Sequence, residues 1–164
     1  MDRDDWLNEC RAQCRRVKFL ADQLDWSERP NHSSWMVATS ALLDENRETI
    51  PSLYFKGEYM PGPKGDKISY ALMFTAGRKR HRVFMLEVYP PHVVAHTEGN
   101  IRIFGPHIHL GDDEFKCIVR GVIANIADAF SHRWVERFQR HARISDDGPH
   151  RVGNPFKNDL FGSP

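Results

Sequence analysis

Cysteine is scarce: Cys10, Cys14 and Cys117 are the only three in 164 residues. So few thiols, and an odd number of them, exclude the disulfide framework of a small secreted domain. An excess of one charge sign is missing too. The 23 Lys and Arg nearly cancel the 22 Asp and Glu, for a formal net charge of +1. That balance removes the overall electrostatic signature of a dedicated nucleic-acid binder and leaves room only for a local basic patch. No apolar run approaches the roughly 20 residues that span a bilayer. The acidic opening Met1-Asp2-Arg3-Asp4-Asp5 leads into no signal-peptide core. No Walker loop, Rossmann glycine pattern or nucleophile elbow occurs. The expected setting is the cytoplasm, with no membrane partner.

What remains is ordinary globular material with one unusual residue. Hydrophobic residues make up 40% and charged residues 27% of the chain, which argues against wholesale disorder. The length suits one domain, assigned to 1–144. From Ser145 to Pro164 the chain turns to Asp, Gly, Pro, Asn and His. A mobile tail is expected there, with Phe156, Leu160 and Phe161 able to dock it locally. Histidine, at nine residues, is in clear excess.

Periodicity assigns the elements. Trp6, Cys10, Cys14, Val17, Ala21 and Leu24 recur at spacings of three and four, predicting a helix from Asp4 to about Leu24. Arg11, Arg15 and Lys18 share another face of that helix. The period then changes to two. Trp35 to Leu43, Leu53 to Tyr59, Ile68 to Thr75 and Arg82 to Tyr89 read as strands, separated by Pro- and Gly-bearing turns. Short connections favour an antiparallel meander. After Asp112-Asp113, Phe115, Ile118, Val119, Val122, Ile123, Ile126 and Phe130 predict a second helix, and Ser131 could cap a third carrying Trp134, Val135, Phe138 and Ala142. The expected fold is α+β: an N-terminal helix, an antiparallel sheet of four to six strands, and two C-terminal helices on one sheet face.

The chemistry concentrates between Pro90 and Gly111. Gly99-Asn100 makes a two-residue hairpin turn. With Glu98 and Ile101 flanking it, His96 faces Ile103 and His92 faces His107. Alternation then sends His92, His96, His107 and His109 to one side. A one-residue slip would break that arrangement. Such a face could hold a divalent metal through neutral imidazoles. It could instead work as general base and acid on a phosphodiester, with Arg102 offsetting charge, or serve as a polar contact surface. Arg78, Lys79, Arg80 and Arg82 form a basic turn suited to phosphate or to a partner surface. His107-x-His109 with Glu114 and Gly121 fits the spacing of the first cupin metal motif. Glu114, however, opens a helical pattern rather than a strand, and no second motif follows.

Phe84 to Gly111 resembles an uncharacterised family of small bacterial and phage proteins. The resemblance rests on His96, Gly99 and the run Gly105-Pro106-His107-Ile108-His109, with Glu98 where that family often carries Asn. A looser similarity links the segment to toxin components of toxin–antitoxin pairs. These resemblances imply a bacterial or phage origin and an action on host RNA or host defence. Taken with the histidines, they suggest a phosphodiester-directed, ribonuclease-like hydrolase with His107 and His109 as acid/base partners and His96 and Arg102 in support. One alternative is a non-catalytic, phage-encoded inhibitor of a host defence protein. Another is a metal-binding domain using His92, His96, His107 and His109. The partner is then RNA or a host protein, and the only cofactor in view is a divalent metal.

Overall fold

Alternating apolar and polar side chains give the chain four long strands, and the turns between them are short enough to keep successive strands side by side. The computed structural model describes residues 2–112, 118–120, 131–145 and 147–152. In chain order they form α1 (Arg3–Arg15), β1 (Phe19–Leu20), β2 (Ser27–Arg29), β3 (His32–Leu43), β4 (Thr49–Met60), β5 (Lys67–Ala76), β6 (Lys79–Val88), β7 (Val94–Glu98), β8 (Ile101–Phe104), β9 (His107–Leu110), β10 (Ile118–Arg120) and α2 (Ser131–Ala142). The meander β3–β6 is antiparallel throughout. It is extended on one side by β9 and β10, while β1 and β2 both pair with β3 on the other. The sheet thus has eight strands, in the order β1-β3-β4-β5-β6-β9-β10 with β2 also on β3, and β7–β8 is a separate hairpin. The four to six strands expected from sequence are exceeded because the added strands are only two to four residues long. That is too short to display a period.

Register decides which side chains share a face. Phe55, Leu72, Phe84 and Leu110 are successive cross-strand neighbours, and so are Gly57, Tyr70, Leu86 and Ile108. This apolar face carries both helices. The Phe138 ring of α2 lies 5.6 Å from Phe55, 5.9 Å from Tyr70 and 5.7 Å from Phe84, and Trp6 of α1 lies 6.1 Å from Phe74. Each such aromatic pair adds roughly 0.5–1.5 kcal/mol beyond the area it buries. The opposite face reads Lys56, Ala71, Met85, His109 along one row and Glu58, Ser69, Glu87, His107 along the next.

Two predicted helices need correction. Asp2 caps α1 by accepting a hydrogen bond from the Asp5 amide at 2.9 Å, but the helix ends at Arg15 rather than Leu24. Arg16 is extended, and the buried Lys18 folds back to donate from Nζ to the carbonyls of Gln13 and Arg16, both at 2.5 Å. Those bonds close carbonyls the helix end leaves open, and burial pushes the Lys18 ammonium down to about 8. Leu20 and Leu24 keep the burial that the helical spacing implied, but reach it beside β3 and through a parallel bridge from Leu24 to Val152. The helix expected over Phe115 to Phe130 falls mostly outside the described residues. Its described part, Ile118–Arg120, is strand paired with β9. Two β-branched residues beside an open sheet edge favour that outcome. The last predicted helix is present as α2, with Trp134, Phe138 and Ala142 buried. Of the expected tail, Arg151 accepts a hydrogen bond from Gln23 Nε2 at 3.1 Å next to the Val152 bridge. Phe156, Leu160 and Phe161 lie outside the described residues.

Candidate metal centre

The site grows from the polar interruption of an apolar strand. β6 runs Val83-Phe84-Met85-Leu86-Glu87-Val88, so Glu87 places a lone carboxylate on the face away from the helices. Its cross-strand partner on β9 is His107, and His109 follows two residues later opposite Met85. Period two therefore puts both imidazoles beside Glu87. The third imidazole arrives from the hairpin. Gly99 holds a φ of 58°, as the first central position of its turn requires, and the pairs Glu98–Ile101 and His96–Ile103 form in the expected register. His96 then stands over the other two, with ring centroids 5.0 Å from His107 and 5.2 Å from His109, themselves 4.8 Å apart. One ligand nitrogen from each of the three lies within 4.8 Å of the others.

Hydrogen bonding sets the role of each ring. His107 Nδ1 lies 3.0 Å from the Gly105 carbonyl oxygen. A carbonyl can only accept, so Nδ1 carries a hydrogen, and in the neutral ring Nε2 presents the lone pair. His109 Nε2 lies 3.0 Å from Glu87 Oε2 and donates to it. Glu87 Oε1 is in turn held by Lys67 Nζ at 2.6 Å, and Lys67 also sits 4.8 Å above the Tyr89 ring. His107 Nε2 lies only 3.2 Å from Glu87 Oε2, off the line of a hydrogen bond. A neutral Nε2 and a carboxylate oxygen repel at that distance, so either a proton on Nε2 or a cation lies with them. Among the described residues, Nε2 of His96 and Nε2 of His107 are both buried without a hydrogen-bond partner.

The electrostatics follow the geometry. Burial alone would raise the Glu87 carboxyl, but the imidazoles of His107 and His109 and the Lys67 ammonium outweigh it and hold the group far below the usual carboxylate range. Burial pushes His109 below the ordinary imidazole range. Glu87 opposes that shift, while Arg82 and His107 add to it. Neutral His109 beside ionised Glu87 is the protonation pattern a metal ligand and its outer carboxylate need.

The structure brings together His96, His107 and His109 and leaves other predicted residues apart. His92 was expected opposite His107, but β8 stops at Phe104 and β9 pairs with β6 instead of β7. Gly105, at φ 63°, turns the chain between them. His92 is consequently an exposed loop residue and no part of the cluster. Arg102 pairs with Thr97 on the outer side of the hairpin, exposed and facing away from His96. In the basic turn, Arg78, Lys79 and Arg80 are exposed. Arg82 is drawn back, donating from Nε to the Gly111 carbonyl at 2.9 Å. Sequence reasoning missed Glu87 and Lys67. The signal was available for Glu87: a single carboxylate inside an apolar strand must find partners, because a buried charge without them is costly. Protein-family models, curated proteins and solved structures offer no match to this chain.

Proposed function

We propose that the protein is a metalloprotein in which His96, His107 and His109 hold a zinc-class divalent ion for hydrolytic chemistry. One observation carries this reading: a ring nitrogen from each of three imidazoles lies within 4.8 Å of the others, and Nε2 of His96 and of His107 are buried without a hydrogen-bond partner among the described residues. Buried polar atoms without partners are uncommon and call for an explanation such as an ion. Imidazole suits zinc-class metals. Structural zinc sites are closed by four ligands, usually with thiolates, whereas three protein ligands are the pattern of catalytic sites. When bound, such an ion would supply Lewis acidity toward a substrate oxygen. The protein's own part is to fix the tautomers through Gly105 and Glu87, to balance the carboxylate with Lys67, and to shelter the rings under the hairpin.

Phosphodiester hydrolysis, expected from the sequence, fits here as metal-assisted chemistry. Acid–base cleavage by His107 and His109 alone is less well supported. The shared face alone favours it, whereas the buried ring nitrogens of His96 and His107, without a hydrogen-bond partner among the described residues, favour an ion. The test is metal content of the purified protein by inductively coupled plasma mass spectrometry, before and after zinc addition, with hydrolysis of bis(p-nitrophenyl) phosphate measured in parallel. One ion per chain, lost in His107→Ala together with hydrolysis, is expected. A protein that takes up no stoichiometric zinc, nickel, cobalt, manganese or iron would overturn the proposal.

A further inference from the structure

Behind the histidines, across the same strand, lies a second feature with a different chemistry. His107 and His109 of β9 face one side of the sheet, while Ile108 and Leu110 face the helices on the other. There the ends of α1 and α2 stand apart over the sheet and leave a cavity of about 550 Å³. That volume lies within the range of small-molecule sites, roughly 300–1,000 Å³. Its floor is apolar: Phe84, Ile108, Leu110 and Cys14. Its rim is basic. Arg11 and Arg15 come from α1, Arg140 and His141 from the last turn of α2, and Arg143 from just beyond it.

The rim charge has no answer among the described residues. None of Arg11, Arg15, Arg140 and Arg143 forms an ion pair among the described residues. The partners of Arg11 and Arg143 are the neutral Asn8 side chain, at 2.9 Å, and the Arg15 carbonyl, at 3.3 Å. The helix dipoles account for part of this, since cations are favoured in the last turn of a helix. They do not account for guanidinium groups from two helices converging on one opening, where like charges repel. Nor do they account for apolar side chains at the bottom of that opening. Acidic residues such as Asp44 draw Arg16 away at 3.1 Å but reach none of the rim residues. A ligand that answers both features needs a compact anionic head for the guanidinium forks and an apolar body for the floor. Four arginines favour a dianion over a monoanion, and therefore a phosphate monoester over a carboxylate.

We infer that the cavity between α1 and α2 binds a small phosphate monoester with an apolar body, its phosphate held by Arg11, Arg15, Arg140 and Arg143 and its body laid on Phe84, Ile108 and Leu110. This site is separate from the histidine cluster and does not depend on the metal reading. A concave, apolar-floored opening suits a small molecule better than a polymer backbone, which needs an open track of charge.

The experiment is isothermal titration calorimetry of the full chain with octyl phosphate, octanoate, octanol, inorganic phosphate and a single-stranded RNA 20-mer. Octyl phosphate should bind at least tenfold more tightly than octanoate, octanol or inorganic phosphate. The double variant Arg15→Ser/Arg140→Ser should weaken octyl phosphate at least tenfold. Both side chains are exposed, so the melting temperature should stay near that of the parent. Arg15→Lys/Arg140→Lys, which keeps the charge and loses the fork, should retain part of the affinity. Equal binding of octyl phosphate and octanol, or undiminished binding in the Arg15→Ser/Arg140→Ser variant, would overturn the inference. RNA bound in preference to octyl phosphate, and lost in the same variant, would overturn it in favour of a polyanion surface.

Discussion

Glu87 is the residue that organises the histidines. One carboxylate oxygen accepts from His109 Nε2 and lies beside His107 Nε2, while the other is held by Lys67. Glu87→Gln removes the charge but keeps the shape. Lys67, a quarter exposed, then faces an uncharged amide, and His109 keeps at best a neutral, weaker acceptor to fix its tautomer. Breaking a largely buried pair from one side is expected to cost about 2–3 kcal/mol, measured by urea denaturation of the metal-free protein. Zinc affinity should fall by about ten- to a hundredfold, the usual consequence of losing a carboxylate behind a histidine ligand. Unchanged affinity in Glu87→Gln would show that the carboxylate serves packing and charge balance rather than the metal ligands. Lys67→Met should lower stability as well, because it strands the Glu87 carboxylate in a buried position.

Among the elements, the hairpin β7–β8 bears most directly on the site, because it delivers His96 and places Ile103 inward at 8% exposure. Its turn depends on Gly99 at φ 58°, and a side chain there would meet nothing within 4 Å. Gly99→Val is therefore strained by backbone conformation alone, at roughly 1–2 kcal/mol. It should leave the sheet intact, shift the His96 imidazole resonances in an NMR spectrum, and weaken zinc as far as His96→Ala does. Gly99→Asn, which tolerates positive φ, should behave like the parent. Normal zinc affinity in Gly99→Val would separate the turn from the site. This hairpin was legible in the sequence because Gly-Asn fixes both turn and register, and Ile103 of β8 turns inward. The position of His92 was not legible. It depended on whether the chain continued past Phe104 along β7 or crossed to β6, and that choice belongs to pairing between distant strands. The C-terminal end of α1 was missed for a related reason. Spacings of three and four through Leu24 are also met by residues that turn sharply at Lys18 and bury themselves beside β3, since burial rather than local period is what Leu20 and Leu24 satisfy. The long meander strands were more legible: a helical reading of Trp35 to Leu43 was the weaker alternative, and β3 is strand from His32 to Leu43.

For the whole molecule, the ionisable groups buried on the two faces of the sheet act on stability together. On the histidine face, Glu87 is held far below the usual carboxylate range by the imidazoles and Lys67, against the effect of burial, and His109 is pushed down by burial. The unfolded chain binds protons at these groups more readily, near about pH 4.3 for Glu and 6.5 for His. Their contribution is fully present above those values and is lost as acid is added, first through His109 and then through Glu87. On the helix face, burial pushes Lys18 down to about 8. The unfolded lysine stays protonated to about pH 10.4, so stability also rises with pH above 8 at this position. Two thiols act in the opposite sense. Burial raises Cys10 to about 12 and Cys14 to about 11, and the Cys14 and Asp112 charges add to the shift of Cys10 while Lys18 works against that of Cys14. The unfolded thiols ionise near about pH 8.5, so their contribution is lost as pH rises beyond that point. Two raised thiols outweigh one lowered lysine, which places the maximum on the alkaline side of neutrality. Metal-free protein should show a melting temperature that rises from pH 5 to about 8 and falls above about 9. Glu87→Gln should flatten the acid limb below about pH 5, and Cys10→Ala/Cys14→Ala should flatten the alkaline limb. Differential scanning calorimetry from pH 4 to 10 checks both. A maximum near pH 6, or an alkaline limb unchanged in the cysteine double variant, would contradict this balance of buried groups.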